Sequence, residues 1–167
     1  MSKYGLLVKG SKYINEMAKA GAIAFDKTGT ITTGKLSVSN VICYEDTDVR
    51  DVITIAKSLE IHSLHPIAQA ICKYHTGEIP TAENVKEHIG KGMEGYVENR
   101  FVVVGTPALA TEKGYDIPED SKGILVYIDG TLTAEITVED SMRNDSKDAM
   151  KLLKEMGLKA CILSGDN

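Results

Sequence analysis

A short segment near the start of the chain combines a carboxylate, a lysine, a glycine and several hydroxyl groups. It runs from Asp26 to Thr32 as Asp-Lys-Thr-Gly-Thr-Ile-Thr and follows the compact apolar run Ala22–Phe25, which predicts a buried strand. A carboxylate at the carboxyl end of such a strand lies where α/β proteins bind ligands. Asp26 could attack a phosphoryl group, while Lys27, Thr30 and the loop N–H groups bear its charge. The alternative is an ordinary strand-to-loop turn with surface threonines.

A second group of polar residues stands just before a predicted helix. Pro66 suits the first helical turn, Ser63 lies near its cap, and the apolar spacing predicts a helix over Pro66–Tyr74. This helix leaves Glu60 and His65 without a structural assignment. A histidine at this position is either a structural residue or a ligand, and the residue types alone leave both roles open.

Two glycine-containing segments lie between predicted strands. Gly90-Lys91-Gly92 lacks the following helix of a dinucleotide-binding fingerprint, so it predicts a hairpin turn, although glycine also lets a backbone approach a ligand closely. Asp129-Gly130 is a favoured two-residue hairpin turn. We therefore interpret Asp129 as structural rather than as part of a second phosphate loop.

The two ends of the chain are predicted to form one structural unit. A helix over Asn144–Met156 precedes a second apolar run, Lys159–Leu163, which predicts another buried strand followed by Ser164, Gly165 and Asp166. If this strand is parallel to the strand Ala22–Asp26, both carboxyl ends meet at one edge of a sheet and both loops can contact one ligand. The long stretch between the two strands requires an inserted module.

The insert has its own pattern of alternating strands and two amphipathic helices. Its helices are predicted at Val49–Leu59 and Pro66–Tyr74. Its strands are predicted at Leu36–Cys43, Asn84–Ile89, Met93–Glu98, Phe101–Val104, Ile124–Ile128 and Leu132–Val138, with a turn at Asn99-Arg100. We expect residues 1–32 and 138–167 to form the outer module and residues 33–137 the inserted α+β module. The crossings are expected at Thr32–Lys35 and Val138–Arg143.

The composition bounds the classes of function. The chain has 167 residues, 43% of them hydrophobic, and a net charge of −5, which predicts a folded globular protein and argues against a nucleic-acid partner. Its three cysteines lack CxxC spacing, which favours a reducing, cytosolic environment over a disulfide framework or zinc knuckle. No apolar run is long enough to cross a bilayer, and no secretory leader is expected.

The motifs resemble those of heavy-metal-transporting P-type ATPases. The segment from Asp26 to Thr32 matches the family's phosphorylation motif, with isoleucine in place of the common leucine at position 31, and Leu163–Asn167 is similar to its Thr-Gly-Asp-Asn segment. Ser63-Leu64-His65-Pro66, preceded by Glu60, resembles the Ser-x-His-Pro motif of the nucleotide-binding domain. Gly90 and Gly92 resemble its Gly-x-Gly turn, and Gly105 its later glycine site.

The resemblance implies a fold of both α/β and α+β type. It consists of a partial haloacid-dehalogenase-like, Rossmann-like phosphorylation domain with an inserted antiparallel-sheet nucleotide-binding domain flanked by helices. The implied cofactors are ATP and Mg²⁺, with Asp26 and the Thr28 carbonyl as metal ligands. The implied ATP-binding residues are Glu60, His65, Gly90, Gly92 and Gly105, and the implied catalytic residues are Asp26, Lys27, Thr28, Thr30, Ser164, Gly165 and Asp166.

The resemblance also implies a larger parent protein. We expect a cytosolic piece of an integral membrane protein, whose transmembrane and actuator domains and transported heavy-metal ion are its partners. The chain ends at Asn167, before the family's catalytic lysine, so we expect nucleotide binding with little or no turnover. A phosphatase with a large cap and a non-catalytic nucleotide-binding module are the alternatives. Thr28 argues against the phosphatase, because such enzymes carry an aspartate there as general acid and base.

Overall fold

The computed structural model describes residues 7–44 and 46–163. The chain divides into two compact units, one made of the described residues of 1–34 and 142–167 and the other of residues 35–141. The described helices are α1 (Ser11–Met17), α2 (Val49–Glu60), α3 (Pro66–Tyr74), α4 (Pro107–Lys113) and α5 (Ser146–Glu155). The described strands are β1 (Ala22–Asp26), β2 (Thr32–Cys43), β3 (Ala82–His88), β4 (Gly92–Val97), β5 (Arg100–Gly105), β6 (Ile124–Ile128), β7 (Thr131–Met142) and β8 (Lys159–Leu163).

The first unit is built on strands from opposite ends of the chain. β1 and β8 pair in parallel, and the register runs from Ala22 opposite Lys159 to Asp26 opposite Leu163. This confirms that the two predicted strands are parallel neighbours and that their carboxyl ends share one edge. The segment after Leu163, with the predicted residues Ser164, Gly165 and Asp166, lies outside the described residues.

The prediction that these two strands are buried is wrong. β1 alternates between exposed and half-buried residues, and every residue of β8 is exposed. A parallel strand is buried only where helices cover both faces of its sheet. In the part of this unit that the structure describes, two strands and two short helices supply too little apolar surface for that.

A buried contact holds the turn after β1 to the start of α5. The carbonyl oxygen of Ile31 accepts hydrogen bonds from the backbone N–H of Arg143, at 3.0 Å, and from the Oγ of Ser146, at 2.7 Å. Ile31 and Ser146 are both buried. Asn144, predicted to cap this helix, lies before it instead. Asp145 occupies the cap position in a helical conformation without a side-chain cap bond, so the helix begins at Ser146.

The second unit contains a six-stranded sheet in the order β2-β7-β6-β5-β4-β3. The consecutive pairs from β3 to β7 are antiparallel, which confirms the predicted antiparallel sheet. β2 begins at Thr32 rather than Leu36, and β7 continues to Met142 rather than ending at Val138. The segments expected to be crossings, Thr32–Lys35 and Val138–Arg143, therefore lie largely within strands.

Both faces of this sheet are packed. On one face the apolar sides of α2 and α3 meet alternate residues of the strands, with fully buried residues that include Leu59, Ile71 and Val102. On the other face α4 contributes Leu109, which packs in a smaller cluster with Tyr127. Each fully buried aliphatic side chain contributes roughly 1.5–3 kcal/mol of transfer free energy, so the helices are held by the sheet rather than by their own propensity.

One hairpin turn differs from its prediction by one residue. The turn between β4 and β5 is formed by Glu98 and Asn99, with φ of 51° and 61°, and Arg100 already pairs with Val97. Two-residue hairpin turns require positive φ at both positions, which asparagine tolerates and which the Asn99-Arg100 assignment placed wrongly. The turn at Asp129-Gly130, with φ of 51° and 84°, is confirmed.

Candidate functional site

A cavity of about 470 Å³ in the second unit collects the predicted nucleotide-binding residues. Its volume falls in the range of small-molecule sites, about 300–1,000 Å³. The cavity is bounded by the end of α2, the start of α3, the β3–β4 turn and the segment before α4. The lining residues are Glu60, Ser63, His65, Ile67, Ala68, Glu87, His88, Gly90, Lys91, Gly92, Met93, Gly105, Thr106 and Ile124. The five residues implied by the resemblance, Glu60, His65, Gly90, Gly92 and Gly105, are therefore neighbours in space.

Glu60 is a buried carboxyl group at the last position of α2. It is 5% exposed, and burial, together with the nearby charge of Glu87, raises its pKa to about 7. Near neutral pH a substantial fraction of Glu60 is protonated, so the group can donate one hydrogen bond as well as accept others. An unpaired carboxyl group that remains buried without a cation partner is typical of a binding site rather than of a core.

His65 has a structural role that can be stated atom by atom. It occupies the N-cap position of α3, and its ring Nδ1 accepts a hydrogen bond from the backbone N–H of Ile67 at 3.3 Å. Its own backbone N–H donates to the Oγ of Ser63 at 3.2 Å, so Ser63, predicted near the cap, supports the cap residue instead of occupying that position. Because Nδ1 accepts, the neutral ring carries its proton on Nε2, which remains available as a donor.

The glycines of the cavity have different structural reasons. Gly92 and Gly105 lie opposite each other on β4 and β5. A Cβ on Gly92 would stand 2.2 Å from the Val104 carbonyl oxygen, and a Cβ on Gly105 would stand 2.5 Å from the Lys91 carbonyl oxygen. Gly90 has φ of 70° and open space around it, so it is required by the turn conformation rather than by packing. The backbone at this edge of the cavity is consequently bare.

Several lining residues were not predicted from the sequence. Ser63 donates from its Oγ to the Oε1 of Glu87 at 3.4 Å, which joins the α2–α3 loop to the end of β3. Glu87, His88 and Thr106 line the same cavity. They belong to no recognisable motif, and only the folded sheet brings them beside Glu60.

The predicted phosphate-binding loop lies in the first unit, at the end of β1. Asp26 is exposed, and residues 27–31 form a wide turn in which Gly29 has φ of 76°. The backbone N–H of Gly29 donates to the Oγ1 of Thr32 at 3.1 Å, and this hydroxyl donates to the Lys27 carbonyl oxygen at 2.9 Å. Thr32 is buried, whereas Thr28 and Thr30 are exposed at the turn. The buried threonine therefore fixes the shape of the loop that carries the exposed ones.

The described residues offer Mg²⁺ few protein ligands. No group of three or more His, Cys, Asp or Glu side chains within residues 7–44 and 46–163 could hold a metal ion. Mg²⁺ commonly binds through one or two carboxylates together with phosphate oxygens and waters. The exposed carboxylate of Asp26 beside the Thr28 carbonyl fits that sparse mode of binding when a phosphate group supplies further oxygens.

No helix within the described part of the chain is both long enough and apolar enough to span a membrane.

Comparison with known proteins places the chain in a family. Residues 20–167 match the family of haloacid dehalogenase-like hydrolases. A cadmium/zinc-transporting ATPase of Arabidopsis thaliana is 34% identical over 177 residues, which cover 98% of this chain and 19% of that protein. Other curated relatives are named for zinc, manganese or copper. The chain spans between 19% and 25% of the length of three of these curated relatives.

Solved structures agree with the sequence comparison. The catalytic domain of the CPx-ATPase CopB-B matches with a TM-score of 0.68 and 31% identity, covering 100% of this chain and 65% of that one. A zinc-transporting PIB-type ATPase matches with a TM-score of 0.79 and 30% identity, covering 96% of this chain and 28% of that one. The predicted fold class and the resemblance to metal-transporting ATPases are both confirmed. The chain belongs to the haloacid dehalogenase-like hydrolases, and its relatives within them are the heavy-metal P-type ATPases.

Proposed function

We propose that the unit of residues 35–141 binds ATP in the cavity between α2, α3 and the β3–β4 turn. The observation that carries the proposal is the position of Glu60, a buried carboxyl group with a pKa of about 7 that lines the same cavity as His65 and Gly90. A cavity with an apolar floor and a small number of polar groups suits a purine base. The relationship to metal-transporting ATPases supports the choice of ATP.

The polar groups of the cavity match the edge of adenine. Adenine presents an amino donor beside ring-nitrogen acceptors, whereas guanine presents a carbonyl oxygen in place of that amino group. A carboxylate of Glu60 accepts from the amino group, and the Nε2–H of His65 donates to an acceptor. An ionised carboxylate only accepts, so it repels the guanine oxygen. Discrimination between the two bases is therefore expected to be strongest above the pKa of Glu60.

Asp26 is the proposed acceptor of the γ-phosphoryl group. A carboxylate oxygen of Asp26 attacks the γ-phosphorus of ATP, an acyl phosphate forms on Asp26, and ADP leaves. Lys27, Thr28 and Thr30, with Ser164, Gly165 and Asp166, are proposed to hold the transferred group. Mg²⁺, bound through Asp26 and the Thr28 carbonyl, neutralises phosphate charge when it is present. Thr28 cannot deprotonate a water at neutral pH, so it favours a persistent phosphoenzyme.

The relatives support a wider proposal about the whole protein. They are named as transporters of zinc, cadmium, manganese or copper, and the chain spans only a part of their length. We infer that phosphorylation of Asp26 drives transport of a heavy-metal cation across a membrane, with transmembrane and actuator domains of the same protein as partners. In that arrangement the present chain is cytosolic.

A calorimetric titration with ATP and with GTP at pH 8 tests the nucleotide proposal. We expect the chain to bind ATP more tightly than GTP, and the variant His65→Ala to bind ATP at least tenfold more weakly, about the effect of losing a hydrogen bond to a charged or strongly polar group. His62→Ala is the matched control, because His62 is exposed and does not line the cavity. Equal affinities for both nucleotides, unchanged by His65→Ala, would contradict the proposal.

A further inference from the structure

The amino group of Lys91 stands at the cavity in an ion pair that is easily exchanged. Lys91 lies in the β3–β4 turn and lines the cavity, and its Nζ contacts the Oε1 of Glu112 on α4. Both side chains are substantially exposed, at 41% and 52%. Exposed ion pairs contribute little to stability because water solvates both charges, so such a pair gives way readily to a more highly charged partner.

The backbone of Lys91 is fixed although its side chain is not. Its N–H donates to the His88 carbonyl oxygen at 2.8 Å, and its own carbonyl oxygen accepts from the N–H of Thr106 at 2.7 Å. Gly90 and Gly92 on either side adopt positive φ, of 70° and 147°. A lysine whose root is anchored at the cavity wall can swing its ammonium group between α4 and the cavity without any change in the backbone.

The other nearby cations are already held by a poorly exposed carboxylate. The Nε2 of His88 lies 2.9 Å from Glu94, and Lys113 contacts the same carboxylate. Burial raises the pKa of Glu94, but its contacts with Lys113 and His88 outweigh that effect and leave the pKa below its usual value. Among the described residues that line the cavity, Lys91 is the one lysine or arginine. It is consequently the group best able to meet an anion there.

We propose that Lys91 binds the phosphate chain of the nucleotide and that Glu112 competes with those phosphates for its ammonium group. The inference rests on the proposed nucleotide function and adds the residue that reads the phosphates rather than the base. Lysine binds phosphate as a point charge and needs no fixed geometry, which suits a mobile side chain on a fixed backbone. The ion pair with Glu112 lowers the affinity for ATP, because it must be broken before the phosphates bind.

Calorimetric titrations of the whole chain with adenosine, AMP, ADP and ATP, at one ionic strength, test this inference. In Lys91→Gln we expect affinity for ATP to fall by about tenfold, the typical effect of one charge-assisted hydrogen bond, while affinity for adenosine changes less than twofold. Lys91→Arg restores most of the loss. Lys122→Gln is the matched control, because it removes the same charge from an exposed position of the same unit outside the cavity.

The partner carboxylate gives an effect of opposite sign. In Glu112→Gln we expect tighter binding of ATP, by several-fold, and unchanged binding of adenosine, because the competing carboxylate is gone. The double variant Lys91→Gln/Glu112→Gln should bind ATP as Lys91→Gln does. Unchanged ATP affinity in Lys91→Gln, or an equal loss of adenosine and ATP, would overturn the role of Lys91.

The same titrations distinguish this inference from the proposed function. If the unaltered chain binds neither adenosine nor ATP, the proposed nucleotide function itself fails. If it binds both and Lys91→Gln binds both equally well, the nucleotide function stands and only the role of Lys91 is rejected. A lower dependence of ATP affinity on salt in Lys91→Gln supports direct contact between Lys91 and the phosphates, since exposed charge interactions are screened by salt.

Discussion

Gly92 and Gly105 face each other on adjacent strands so closely that neither position has room for a side chain. A Cβ on Gly92 would lie 2.5 Å from the Cα of Gly105 and 2.2 Å from the Val104 carbonyl oxygen. Both glycines line the cavity that we assign to ATP. The close packing of β4 and β5 thus produces the bare backbone surface that a flat base can approach, so one feature serves both the fold and the proposed site.

We predict that Gly92→Ala lowers the free energy of unfolding by at least about 2 kcal/mol. The new methyl group collides with backbone atoms, which cannot move aside as a flexible side chain can, and φ of 147° adds strain. Gly90→Ala is the matched comparison, because the turn around Gly90 leaves open space and only the positive φ disfavours alanine, at roughly 1 kcal/mol. Urea unfolding followed by circular dichroism measures both. Equal stability of the two variants would contradict the packing argument.

We predict that the stability of the second unit depends on pH through Glu60. In the unfolded chain this carboxyl titrates near 4.5, whereas burial raises its pKa to about 7 in the folded protein. The folded state therefore holds a proton that the unfolded state releases, and stability falls as the pH rises from about 4.5 to about 7. The loss amounts to roughly 3 kcal/mol if the full shift applies.

Glu60→Gln should remove this dependence and leave a protein that is more stable than the parent above pH 7. Glu139→Gln is the control, because Glu139 is exposed and does not line the cavity. Urea denaturation at pH 5, 6, 7 and 8 provides the measurement. A stability curve for Glu60→Gln that runs parallel to that of the unaltered chain would show that Glu60 is not the titrating group.

We predict that the two roles of His65 can be separated by substitution. Asparagine is a good N-cap residue, so His65→Asn keeps the cap on α3 while it removes the ring Nε2–H. Alanine removes both and costs about 1 kcal/mol of stability. We therefore expect His65→Asn to melt close to the parent and yet to bind ATP as weakly as His65→Ala does. Full ATP binding by a stable His65→Asn variant would mean that the histidine serves the helix alone.

We predict that the chain releases little phosphate, either from ATP or from a monoester such as p-nitrophenyl phosphate. Thr28 stands where a phosphatase carries its general acid and base, so an acyl phosphate on Asp26 lacks a group to activate water. A phosphate-release assay compares the chain with Asp26→Asn. Sustained turnover of the monoester that Asp26→Asn abolishes would favour the phosphatase with a large cap instead. We also expect Asp26→Asn to bind ATP as tightly as the parent.

The features that the sequence could predict are local patterns. Alternation of apolar residues placed β6, the helical spacing placed α3, and Asp129-Gly130 marked its hairpin correctly. The pairing of β1 with β8 was also predictable, because apolar runs followed by polar loops at both ends of a chain favour parallel neighbours. Burial of these two strands was not predictable, because it depends on what packs against each face of their sheet.

The candidate site could be predicted only as separate motifs. Glu60, His65 and Gly90 were each singled out from residue type and resemblance, whereas their common cavity depends on the sheet order that brings β3 and β4 beside α2 and α3. The contact between Ser63 and Glu87 and the ion pair between Lys91 and Glu112 join residues more than twenty positions apart. Such side-chain contacts leave no periodic signal, since they depend on the tertiary fold.

The central claim is that ATP binds in the cavity lined by Glu60, His65, Gly90, Gly92 and Gly105. The most direct test is an amide nitrogen–proton correlation spectrum of the chain, whose mass of 18.1 kDa suits this method, recorded during a titration with ATP. We predict saturable shifts concentrated at the amides of these five residues and of Lys91. Saturable shifts confined to residues outside the cavity, or no shifts at millimolar ATP, would contradict the account.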